Sequence, residues 1–138
     1  MWANTFDARL LEWRDLREQA KNLDLKEALI AIDKWWQQAP LTSHYLHMDE
    51  YENWPDPWDL LADNTFCDLA KCLGIVYTIV LLSRDDLEKI TIIETPDFFV
   101  VEINNEHILN YYPNEIVNKK DLELKIVRSL DSHYLNIN

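Results

Sequence analysis

The longest apolar run in the chain, Leu73 to Leu82, contains its only glycine, and together they decide where helix gives way to sheet. Upstream, Cys67, Leu69, Ala70 and Leu73 fall on a helix that Asn64 or Thr65 is placed to cap. Gly74 stands where a left-handed C-cap would close it. Beyond that glycine, Ile75 to Leu82 is β-branched and apolar and reads as a buried strand. Ten residues are far too few to span a bilayer.

Other elements follow from local signals. Thr5 can cap a first helix, with Phe6, Leu10, Trp13, Leu16 and Ala20 at helical spacing. Asp24 starts a second, with Glu27 at the capping-box position, and Leu25, Leu29, Ile32 and Trp36 mark its buried side. Pro40 ends it, and the two helices form an antiparallel pair. Pro57 suits the first turn of a short helix carrying Trp58, Leu60 and Leu61. After the Ile75–Leu82 run, further strands are expected at 89–94, 98–103 and 107–112. Asn104-Asn105 supplies a hairpin turn between the last two. From Asp121 the tail is ambiguous, and an Asp121 cap tilts it toward helix. The expected fold class is α+β: a helical pair and a central Cys-bearing helix on a four-stranded antiparallel sheet.

A chain of 138 residues suits one domain over 1–138, able to bury roughly two thirds of its unfolded surface. Cys67 and Cys72 lie five residues apart, about 140° around a helix, and diverge too far to bridge. Two free thiols and no apolar N-terminal leader point to a soluble cytoplasmic protein. The net charge is −12, and no Lys or Arg occurs between Lys34 and Lys71. Asp49, Glu50, Glu52, Asp56, Asp59, Asp63 and Asp68 fill that stretch. Such a surface repels phosphate backbones, so direct nucleic-acid binding is disfavoured and a basic protein partner is favoured. Solvation of an aromatic-rich surface is the simpler use of the same acids.

Cys67 lies in the opening turn of its helix, where the macrodipole and unpaired N–H groups favour thiolate. Against this, most free cysteines are small buried apolar residues, and Asp68 opposes a thiolate. The run Trp54-Pro55-Asp56-Pro57-Trp58-Asp59-Leu60-Leu61, followed by Asn64-Thr65-Phe66-Cys67-Asp68-Leu69-Ala70 and Leu73-Gly74-Ile75, resembles the centre of the transglutaminase-like (papain-like cysteine) superfamily. The likeness covers about 54–113. The arrangement also resembles small accessory proteins of tailed bacteriophages, which would place it in host cytoplasm or virion. The superfamily resemblance implies a catalytic Cys, a His on the following strand as base, and an Asp on the next strand to orient it. Laid on this chain, the His position falls on Phe98 and the Asp position on Tyr112. Neither side chain can act as the base near neutral pH. His107 is the one candidate to stand in for the missing imidazole.

Two further groups bear on function. His44 and His47, with Asp49 or Cys67, have a spacing that could approach zinc, but it matches no strong zinc signature and no metal or other cofactor is expected. Trp35, Trp36, Tyr45, Tyr51, Trp54 and Trp58 supply core, yet not all of them can be buried. Exposed aromatics ringed by acids make a protein-binding surface, here Trp54, Trp58, Asp49, Glu50, Glu52, Asp56 and Asp59. The expected function is a noncatalytic transglutaminase-like interaction module, and the missing partners of Cys67 weigh against an enzyme. The alternatives are a cysteine-dependent hydrolase or acyltransferase using Cys67 with His107, and an acidic decoy for a basic nucleic-acid-binding protein.

Overall fold

The computed structural model describes residues 1–112, 115–135 and 137. Helix α1 (Phe6–Ala20) begins where Thr5 caps it, the hydroxyl accepting from the Ala8 N–H at 3.2 Å. Thr5→Ala should lower stability by about 1 kcal/mol in urea denaturation, with no change in slope. Helix α2 (Leu25–Gln37) buries Ala28, Leu29, Ile32, Trp35 and Trp36. Its N-cap is Asp24, but that side chain makes no capping hydrogen bond, so the expected capping box is not formed. Short helix α3 (Pro57–Leu61) starts on Pro57, and Asp56 accepts from the Asp59 N–H at 2.8 Å.

Helix α4 (Asp68–Val80) runs through the centre, every residue from Leu69 to Ile79 buried. The strand expected at Ile75–Leu82 is therefore the second half of this helix. Burial on all sides removes the polar positions that would have marked a helical period. Gly74 is no cap; it sits mid-helix and has no positive φ. What it provides is room: a Cβ there would fall 2.4 Å from Trp36 Cη2 and Cζ2. The Thr78 hydroxyl completes this contact, accepting from Trp13 Nε1 at 2.8 Å and Trp36 Nε1 at 3.0 Å while donating to Gly74 O at 2.7 Å. The buried indole N–H groups of Trp13 and Trp36 are thus satisfied within the core.

The sheet has five antiparallel strands, one more than expected: β1 (Ile90–Glu94), β2 (Phe99–Ile103), β3 (His107–Tyr112), β4 (Glu115–Asn118) and β5 (Arg128–Asp131), in the order β4-β3-β2-β1-β5. Asn104 and Asn105 take φ of 54° and 56°, the left-handed pair that a tight β2–β3 hairpin requires. The tail does not form the expected helix. A 3-10 turn at Lys119–Asp121 is capped by Asn118, and β5 then pairs with β1, Leu130 opposite Ile92. Leu122 and Leu124 pack on a small outer cluster of Ile93, Val100 and Ile108, while the inner face meets α4. Among the described residues no helix is long and apolar enough to cross a membrane.

Candidate functional site

A network of polar side chains lies at the junction of α4 with β2 and β3. Cys67 is the N-cap of α4, fully buried, and its side chain caps nothing. Asp68, the first helical residue, reaches across to the sheet. Its Oδ2 accepts from the Phe99 N–H at 2.8 Å and its Oδ1 from Asn110 Nδ2 at 2.8 Å. The same Asn110 amide donates to Phe99 O at 3.0 Å and approaches Cys72 Sγ at 3.2 Å. Asn110 Oδ1 accepts from Gln37 Nε2 at 2.7 Å, and its backbone N–H donates to Asp33 Oδ1 at 2.9 Å. With φ of 65° it sits where the β3–β4 register shifts. One asparagine therefore ties α2, α4 and β2 together, in a left-handed conformation that asparagine tolerates better than most residues.

Burial pushes the Asp33 carboxyl up to about 6, against the Asn110 and Gln37 hydrogen bonds and the Lys71 charge. Burial likewise pushes the Cys72 thiol well above its ordinary value. For Asp33 the folded chain holds a proton more tightly than the unfolded one. Its favourable contribution is full below the ordinary Asp value of 3.8 and is lost as pH rises through about 6. Asp33→Asn should match the parent near the acid end of that window and exceed it by about 3 kcal/mol at neutral pH. Urea denaturation across the window checks this; a gap that stays constant would contradict it.

Leu41, two-thirds exposed at 66%, separates two mouths of one cleft above α4. One, about 380 Å³, is walled by His44, Asp97, Phe98 and Phe99; the other, about 300 Å³, by Gln37, Lys71, Tyr111 and Tyr112. Asp68 and Phe98 line both.

The sequence-predicted residues are distributed unevenly around this cleft. Phe98 turns to the outer cluster with Tyr111, and Phe99 is the residue whose backbone meets α4. Tyr112 is half-exposed at the end of β3, and Asn110 is the β3 residue whose side chain meets the helix terminus. Pro113, which followed Tyr112 in the motif, lies outside the described residues. His107 pairs with Ile103, four residues along β2 from Phe99, roughly 13 Å away. Its imidazole stands 3.8 Å from Glu106, so His107 and Cys67 are not brought together. His44 stacks on Phe99, ring centroids 5.7 Å apart, and meets His47 edge-on at 4.7 Å. Among the described residues no three His, Cys, Asp or Glu are grouped to hold a metal ion.

The expected aromatic surface is also redrawn. Trp54 is buried, its Nε1 donating to His47 O at 2.9 Å, so it cannot form a binding surface. Trp58 is 43% exposed and meets Trp13 edge-on. Asp49, Glu50, Glu52 and Asp59 are exposed, whereas half-buried Asp56 is spent as the α3 cap. Sequence reasoning missed Asn110, Asp33, Gln37 and Lys71. Two signals were available: an asparagine inside a strand, and an acid beside Ile32 on the apolar side of a helix.

No family model and no curated protein matches this chain. Solved structures do. Legionella pneumophila LapG superposes with a TM-score of 0.72 at 19% identity, over 92% of this chain and 75% of that one. The calcium-bound form of the same protein gives 0.71 at 17% identity, over 94% and 77%. At such identity the likeness speaks for the fold alone: this chain has the transglutaminase-like fold of LapG.

Proposed function

We propose that the chain holds an extended segment of another polypeptide in the cleft above the N-terminus of α4, without cleaving it. The observation that supports this is the arrangement of Asp68, Phe99 and Asn110. The strand facing the helix, β2, carries no histidine, and Asp68 meets it with hydrogen bonds from the Phe99 N–H and from the Asn110 amide. A nucleophilic thiol needs a base within hydrogen-bonding reach, and neither phenylalanine nor an asparagine amide takes a proton near neutral pH. The exposed Leu41 and Tyr112 offer apolar contact at the cleft rim. Exposed Asp49, Glu50, Glu52 and Asp59, in a chain of net charge −12, favour a basic partner.

A second reading, a cysteine-dependent hydrolase, draws on the likeness to a cysteine protease and on Cys67 at the N-cap of α4. Iodoacetamide near neutral pH separates the two. A noncatalytic cleft should label Cys67 as slowly as buried Cys72, whereas fast labelling of Cys67 alone would favour the hydrolase. Binding is read on peptides selected from a random 12-residue display library. Leu41→Asp should weaken them by roughly tenfold or more and Cys67→Ser by less than about twofold. Indifference to Leu41→Asp would remove the cleft from the function.

A further inference from the structure

Lys71 is the one buried lysine among the chain's eight, 6% exposed, on the first turn of α4. It lines the mouth of the cleft beside Tyr111 and Tyr112. Its ammonium carries three N–H donors, and Nζ is not among the buried side-chain atoms left without a partner, as expected of a head group that opens onto the cleft. Among the described residues none of its donors has a hydrogen-bond partner, and it enters no ion pair; Asp33 and Asp68 act on it only through their charge. Both Asp68 oxygens are taken by Phe99 and Asn110 and Asp33 Oδ1 by Asn110 and Gln37, while among the described residues Asp33 Oδ2 is buried without a hydrogen-bond partner and does not bond Lys71. Burial lowers the Lys71 pKa in spite of those two acids.

We infer that Lys71 is the polar anchor of the cleft, donating to a main-chain carbonyl oxygen of the bound polypeptide. The inference rests on the peptide-holding reading above and adds the group that is gripped. A neutral oxygen fits better than a carboxylate, because Asp33 and Asp68 already neutralise the ammonium and would repel another anion. A main-chain carbonyl also suits a cleft whose rim, Leu41, Phe98 and Tyr112, is built to receive side chains on either side of it. Each strand-like residue of the ligand presents such a carbonyl, so the anchor fixes register while the rim reads the side chains.

The test uses the full chain with ¹⁵N-labelled lysine, following the ammonium signals by NMR. N-acetylalanine methylamide, a neutral probe with two carbonyls, should move the Lys71 signal saturably and leave the other lysines still; Lys71→Met should abolish the response. The display-selected peptides should bind Lys71→Met roughly tenfold more weakly than the parent, with partial recovery in Lys71→Arg. A saturable response to acetate but not to the amide would overturn the carbonyl assignment. Peptides that bind Lys71→Met as tightly as the parent yet still weaken on Leu41→Asp would overturn the anchor and leave the cleft standing. Peptides indifferent to both substitutions would overturn the anchor and the peptide-holding reading together.

Discussion

Gly74→Ala should destabilise the protein by about 2 kcal/mol, although the same change in an ordinary helix interior stabilises by up to about 1 kcal/mol. The reversal of sign comes from Trp36. An added Cβ would fall 2.4 Å from two of its ring carbons, far inside contact distance. The indole has nowhere to go: its N–H is held by Thr78 at 3.0 Å, and its ring packs against Trp2, Trp35 and Phe66. The midpoint of thermal unfolding should fall by roughly 7 °C, and Gly74→Val should fall further. A Gly74→Ala variant that melts higher than the parent would mean that α4 and α2 are not packed this closely.

Asn110→Leu should cost about 3–4 kcal/mol at neutral pH, the other large effect. The substitution strips donors from Asp68 Oδ1 and Phe99 O and an acceptor from Gln37, and so leaves a carboxylate short of a partner in a mostly buried place. It also puts a bulky side chain at φ of 65°. Asn110→Gly separates the two causes. It accepts that backbone freely but loses the same side-chain bonds, so it should be less damaging than leucine by roughly 1 kcal/mol. Asn110→Asp sets a third carboxyl beside Asp33 and Asp68, so its deficit should shrink as pH falls. Urea denaturation of the three variants at two pH values orders them.

How much of this was legible in the sequence depends on whether the deciding signal was local. Thr5, Pro57 and Asn104-Asn105 act within a few residues of themselves, and each formed the expected cap, first turn or hairpin. The start of a helix beside Cys67 was also readable, from a Trp-Pro segment leading into it. Gly74 was not, because its meaning lies in Trp36, a residue on another helix. Nor was β5, whose partner β1 lies more than thirty residues away. Inside the site, the bond from the Phe99 N–H to Asp68 could not be read from two adjacent phenylalanines, and Phe98 packs on the outer cluster while also lining the cleft. Asn110 stands two residues before Tyr112, but only its contact with Asp68 shows which of them meets α4.

The proposed noncatalytic reading turns on those positions, since neither Phe99 nor Asn110 can serve Cys67 as a base. The most direct measurement is the mass of a display-selected peptide after prolonged incubation with the parent protein and with Cys67→Ser. A cleft that holds without cleaving leaves the peptide intact in both, bound with equal affinity. Cleavage products that the parent makes and Cys67→Ser does not would contradict it, and would return Cys67 to the role of nucleophile.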